Sequence, residues 1–219
     1  MSTLKSEKWN NAGELLRKSH LSLLDADTTN DEVWKTAFQA LVDAIKDERV
    51  LNPAFSAELA DIDEATEDKY SIIDWLEEYF DKLEADADWD AVVVSSDEVV
   101  SLFKWDNAMP SQYKFRKGNA LQNSGRLDEA EEFGREWLEE YPYDLNAAAS
   151  NAFLKVALQK YDEAKDLTEK YLRDDLVCDD ATETFFMAAY RLYEMTDDIN
   201  AKQRVEQKIA EYNAMVQGI

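Results

Sequence analysis

The chain has 219 residues, 45% apolar and 11% aromatic, which is enough to build a core and too much for a disordered acidic tail. Five Gly and three Pro are too few for a β-sandwich or a glycine-rich nucleotide fold, and a single Cys with a single His excludes disulfide frameworks, zinc clusters and two-histidine metal sites. Forty-eight acidic against twenty-four basic residues leave a formal charge of −24, a surface that repels nucleic acid phosphates and anionic membranes and attracts basic partners.

The first residues, Met1 to Lys8, lack the apolar stretch of a secretory signal, and no window approaches about eighteen uncharged apolar residues. A cytoplasmic chain with a reduced Cys178 is expected. Helical periodicity runs almost throughout. Glu32 to Lys46 places Trp34, Ala37, Phe38, Leu41 and Ile45 on one face, with Thr29 and Glu32 at capping-box spacing ahead of it. Pro53 is expected to open or separate a helix around Ser56 to Ala65. Tyr70 to Leu83 carries an apolar stripe of Ile72, Leu76, Tyr79, Phe80 and Leu83 opposite Asp74, Glu77, Glu78, Asp81 and Lys82. Ala91-Val-Val-Val-Ser95 is the one strand-like run, and Ser95 with Glu98 offers a second capping box.

The second half contains an internal repeat. Asp128-Glu129-Ala130 and Asp162-Glu163-Ala164 lie 34 residues apart, and in that register Leu127 meets Tyr161, Trp137 meets Tyr171 and Leu138 meets Leu172. A looser third copy aligns Asn200-Ala201-Lys202 with Glu163-Ala164-Lys165, and Ala189 with Ala152, if its loop grows by three residues. Residues 1–107 show helical pairs without an alignable period and are either degenerate repeats or an N-terminal helical cap. The expected organisation is an N-terminal helical region, 1–107, followed by helical repeats over 108–219, all-α and of about eleven helices.

A 34-residue period of paired helices resembles the tetratricopeptide repeat over residues 111 to about 213. The best unit runs from Ser111 to Asp144. Gly118 supplies the small residue of its first helix, Gly125 marks the turn, Leu127 and Ala130 open the second helix, and Pro142 closes the unit. Lys114 and Lys117 replace the motif's Trp and Leu, Gly134 stands where a large aromatic is normal, and Lys155 and Leu176 depart in the second unit. The resemblance implies antiparallel pairs stacked as a short right-handed superhelix, with a concave groove that binds a peptide. Tetratricopeptide domains that grip acidic chaperone tails use a clamp of Lys, Asn and Arg. Asn119 matches one clamp position, but Phe115, Ser150, Glu183 and Met187 occupy the others, which implies that such tails are not the ligand.

Carboxylates and thiols suggest other chemistries. Asp86, Asp88, Asp90 and Asp97 imitate calcium-loop spacing, but Ala91 stands where the loop needs Gly, so a solvated connector is expected. Asp179, Asp180 and Glu183 imitate a Mg²⁺-binding aspartate motif, and Asp180 as an N-cap explains them more simply. Glu129, Glu132, Glu136 and Glu139 read as a wet helix face rather than a metal ladder. His20, after Arg17 and Lys18 near a helix end, reads as structural, and the carboxylates beside Cys178 would suppress its thiolate.

These observations lead to the expectation of a non-enzymatic interaction module without cofactor or metal. It would bind a protein or peptide, basic in the simplest case, on a concave and mostly acidic surface. The candidate contact residues are Tyr113, Lys114, Phe115, Lys117, Asn119, Tyr143 and Asn151, with the three aromatics as anchors. The alternatives are an acidic mimic of nucleic acid that sequesters a basic protein, and a carboxylate-based Mg²⁺ enzyme.

Overall fold

A computed structural model of the chain describes residues 4–22, 31–106 and 109–218. Among the described residues there are eleven helices and no strand, only an isolated bridge between Glu58 and Lys104. The chain divides into two compact units, residues 1–109 and 110–219.

The first unit contains α1 (Lys8–Ser22), α2 (Asp31–Leu51), α3 (Ile62–Ala65), α4 (Ile72–Ala85) and α5 (Trp89–Leu102). The apolar stripe of α2 is buried as its spacing requires, from Trp34 through Phe38 and Leu41 to Ile45. It meets the stripe of α4 through stacked rings. Phe38 lies on Tyr79 with centroids 4.7 Å apart, Tyr79 on Trp75 at 5.3 Å, and Trp75 on Trp34 at 5.5 Å. Such pairs each contribute about 0.5–1.5 kcal/mol beyond the area they bury. Two buried polar groups tie the connections to this core. The Glu48 carboxylate accepts hydrogen bonds from the Lys5 and Ser6 amides, both at 2.8 Å, and from the Trp9 indole at 3.2 Å, fixing the entry to α1 against α2. The Arg49 guanidinium donates to the carbonyls of Ser56, Ala57 and Leu102 and lies 5.1 Å from the centre of the Phe103 ring.

Several local expectations need correction here. The run at 91–95 is helical, because Asp88 caps α5 by accepting from the Ala91 amide, and Val92 and Val93 then pack inward while Val94 faces out. Ser95 and Glu98 are therefore inside α5 and form no capping box; Ser95 bonds the Tyr79 hydroxyl at 2.9 Å and Glu98 pairs with Lys46. After Pro53 the chain turns, and helix resumes only at α3. Thr29 lies outside the described residues.

The second unit contains α6 (Ser111–Asn123), α7 (Leu127–Glu140), α8 (Leu145–Ala157), α9 (Tyr161–Tyr171), α10 (Glu183–Met195) and α11 (Ile199–Gln217). Helix α8 packs against α6, α7, α9 and α10, and α10 packs in turn against α11. This central position suits its composition: Ala147, Ala148, Ala149 and Ala152 are all fully buried, and small side chains let four neighbours approach one backbone. On α10 the larger Phe185 fills the space beside Ala148, Ala149 and Ala152, and Phe186 packs in a second cluster with Val156. Asp144 joins three helices. Its buried carboxylate caps α8 at the Asn146 amide (2.9 Å) and accepts from Ser111 Oγ of α6 (2.6 Å) and Trp137 Nε1 of α7 (3.0 Å).

Gly118 and Gly134 are places of close approach, though not in the manner expected. A Cβ at Gly118 would come within 2.7 Å of Ser150 Oγ, so the small residue serves contact with α8 and not only with α7. At Gly134 a Cβ would lie 2.6 Å from Asn151 Oδ1. The Asn151 amide occupies the space where an aromatic was expected, donating to the carbonyls of Gly134 and Ala147 at 2.9 Å each.

One turn recurs in both units. Three residues separate α4 from α5, α6 from α7, α8 from α9 and α10 from α11, and the middle one is left-handed each time: Ala87 (φ 54°), Gly125 (77°), Gln159 (59°) and Asp197 (53°). The residue after it donates its amide to the carbonyl five positions back, at Leu83, Leu121, Lys155 and Tyr193. These bonds satisfy carbonyls that every helix end leaves open. In the second unit the left-handed positions are 34 and then 38 residues apart, so the third copy carries four extra residues, not three. The α4–α5 pair, for which no period was found in the sequence, is built on the same turn.

Candidate functional site

The second unit contains a cleft of about 790 Å³ formed by one stripe from each of α6, α8 and α10. Helix α6 contributes Phe115, Asn119 and Gln122, spaced four and three apart so that they share a face. Helix α8 contributes Phe153 and Val156. Helix α10 contributes Glu183, Thr184, Met187, Arg191 and Met195, and Tyr161 and Gln159 close the end where α8 turns into α9. The lining combines aromatic and Met surface with the amides of Asn119, Gln122, Asn123 and Gln159. Such groups offer apolar contact together with paired donors and acceptors.

The expected acidic character is not a property of this cleft. Its lining holds one carboxylate, Glu183, and one guanidinium, Arg191, which is paired with Glu194 at 2.8 Å. Acid is concentrated on other faces. Glu129, Glu132, Glu136 and Glu139 are all exposed along α7, where Arg135 bonds Glu139 at 3.0 Å and Arg126 holds the Glu129 carboxyl below its ordinary range.

Of the seven candidate contact residues, the cleft brings together Phe115 and Asn119. Tyr113 is 3% exposed and packs inward with Ala120 and Leu121, so it cannot be an exposed anchor. Lys114 is committed within the helix pair, 2.5 Å from Glu140 and over the Tyr141 ring. Lys117 lies over the Phe133 ring at 4.7 Å, on the α7 side. Tyr143 is 90% exposed in the α7–α8 connection and does not line the cleft. Asn151 is buried, with its amide used up by two backbone carbonyls. Phe153, Gln159, Tyr161, Arg191 and Met195 escaped the sequence reading. Four of the five clamp positions weighed there do meet in the cleft, namely Phe115, Asn119, Glu183 and Met187, whereas Ser150 is buried beside Gly118.

The other chemistries find no assembled site. Asp86 is the C-cap of α4 and pairs with Lys82, while Asp88 caps α5 and pairs with Lys35 at 2.5 Å; Ala91 is helical, so no calcium loop exists. Asp180 is not an N-cap. Thr182 takes that place, Asp179 Oδ1 accepts from the Ala181 and Thr182 amides, and Asp180 accepts from the Tyr212 hydroxyl, whose pKa is pushed up to about 12 by that bond. Burial first, then Glu183 and Asp179, pushes the Cys178 thiol up, away from the thiolate. His20 pairs with Glu78 at 2.9 Å and rests against Trp34. Among the described residues no cluster of three metal-ligating side chains occurs, and no helix is long and apolar enough to cross a membrane. No protein-family model matches the chain, and no curated protein matches it.

Proposed function

We propose that residues 110–219 form three tetratricopeptide-like helix pairs, antiparallel and stacked with a right-handed twist, that bind a peptide segment of a protein partner in the α6–α8–α10 cleft. The observation that carries this reading is the convergence of three helical stripes on one concave surface, with Asn119, Met187 and Met195 beside Phe115, Phe153 and Val156, which also pack against the core. Alternating amide and apolar groups suit an extended peptide, whose backbone needs hydrogen bonds and whose side chains need pockets. Met187 and Met195, 45% and 41% exposed, supply adaptable apolar surface. Glu183, which has no ion pair among the described residues, and the −24 charge favour a partner with basic groups beside its apolar anchors. A lining with one carboxylate and no thiol or imidazole supports a binding role over a catalytic one, and we read the protein as a non-enzymatic cytoplasmic adaptor.

The test is a selection of random linear peptides on the full chain, with affinities then measured for wild type, Asn119→Ala and Met187→Lys. Both positions lie on the cleft surface, so helicity should be unchanged. A loss of about tenfold or more in each variant is expected. Equal affinity in all three proteins, or failure to select any peptide, would sink the reading.

A further inference from the structure

The first unit contains a second concavity of about 640 Å³, between α1 and the connection that leads from α3 to α4. Among the described residues its lining holds the cations Arg17 and Lys69, the imidazole of His20 and one carboxylate, Glu14. That balance runs against a chain with twice as many acids as bases. Among the described residues Arg17 has no ion pair, and Lys69 is held over the Tyr70 ring, 4.9 Å from its centre, rather than by an acid. His20 is taken by Glu78. Ser71 also lines the cleft, and its side chain makes no cap bond to α4.

The backbone that presents these groups is costly. Glu67, Asp68 and Ser71 are all left-handed, at φ 59°, 53° and 46°, a region that disfavours side chains by about 1–2 kcal/mol each. The loop is held in that form by Asp63, whose carbonyl accepts from the Asp68 amide (2.7 Å) and whose carboxylate accepts from Ile72 (2.5 Å) and Ile73 (3.3 Å). Opposite, Gly13 sits inside α1 at a further cost of about 1 kcal/mol relative to Ala. Its absent Cβ makes room for the Tyr70 ring, which stacks on Trp9 at 5.2 Å. The loop and the glycine on the helix together place Lys69 and Tyr70 in the same cleft as Arg17.

We propose that this cleft binds a small organic dianion, a phosphate monoester or a dicarboxylate, between Arg17 and Lys69. Its volume is that of a small-molecule site. The Arg17 guanidinium offers the planar fork that matches an oxyanion, Lys69 offers a point charge, and Ser71 offers a hydroxyl donor.

The experiment is NMR titration of the full chain with phenyl phosphate and with succinate at physiological salt, using phenol and succinamide as neutral counterparts. Saturable shifts of the Gly13 amide and Trp9 indole are expected, with a Kd below about 1 mM for at least one dianion and none for its neutral counterpart. Which dianion binds names the oxyanion. Arg17→Gln and Lys69→Gln should each weaken binding about fivefold or more while the Trp137 indole signal of the other unit stays in place. Lack of saturation by both dianions, or undiminished affinity in the doubly substituted protein, would overturn the proposal.

Discussion

Replacing Asp144 with Ala tests how the second unit is held together. The change removes the N-cap of α8, a loss of about 1 kcal/mol. It also leaves the Trp137 indole N–H and the Ser111 hydroxyl without their acceptor in a site that is 2% exposed. Each stranded buried donor costs about 1–3 kcal/mol, the hydroxyl at the low end because it can rotate. The sum is roughly 3–5 kcal/mol, and at a urea m-value of about 2 kcal/mol/M the midpoint should fall by roughly 2 M. Asn at the same position keeps a capping oxygen but turns an amide towards two donors, so its loss should be smaller. Trp137 is the only tryptophan in residues 110–219, and its indole proton resonance reports this unit separately. Denaturation of wild type and both variants followed at that resonance is the assay. A midpoint shift for Asp144→Ala below about 0.5 M would refute the idea that one carboxylate joins α6, α7 and α8.

Other predictions follow from the same geometry. Gly134→Ala should destabilise by about 1–3 kcal/mol through collision with the Asn151 amide, and in an Asn151→Ala background the penalty should shrink; additive losses in a double-mutant cycle would contradict the contact. Gly125→Ala should cost about 1 kcal/mol at its left-handed turn despite open space around it, whereas Gln159→Gly should stabilise by a similar amount, both read from thermal melts. Arg49→Met should lower the melting temperature of the first unit by stranding the carbonyls of Ser56, Ala57 and Leu102, and Arg49→Lys should restore only part of it. Burial pushes the Tyr79 hydroxyl up to about 12, while an unfolded tyrosine ionises near 10. The unfolded chain therefore loses this proton first, and stability intact below pH 10 should decline by roughly 2–3 kcal/mol towards pH 12. Phenolate absorbance should show Tyr79 ionising late, and its ionising with the exposed tyrosines would remove the basis for that decline.

The helices were legible where burial has a period. The stripes of α2 and α4 follow directly from Trp34 to Ile45 and from Ile72 to Leu83, and Gly125 marks a turn because few residues tolerate its backbone. The same turn at Ala87, Gln159 and Asp197 carries no such mark: the bonds that enforce it are backbone bonds, to which the side chain contributes nothing. Ser95 and Glu98 have capping spacing but sit mid-helix, since Asp88 captures the N-terminus seven residues earlier. The site was half legible. Phe115 and Asn119 were found through their place in the repeat. Asn151 and Tyr113 looked like surface groups because the sequence does not reveal that a glycine on α7 opens a slot for one, or that the face of α6 holding the other is the packed one.

The alanine-rich face of α8 has a consequence for how the chain can be divided. A helix whose inward face is mostly alanine, with only Leu154 and Val156 as larger apolar groups, brings little apolar area of its own to a core. Its place at the centre draws on Phe185 of α10 against Ala148, Ala149 and Ala152, on Phe186 of the same helix in the cluster with Val156, and on Asp144 at its N-terminus, which accepts from the Trp137 indole. The α8–α9 pair is therefore no self-sufficient module that a truncation or domain swap can carry elsewhere. A nascent chain that ends before α10 would leave Ala148, Ala149 and Ala152 of α8 without the Phe185 ring that covers them.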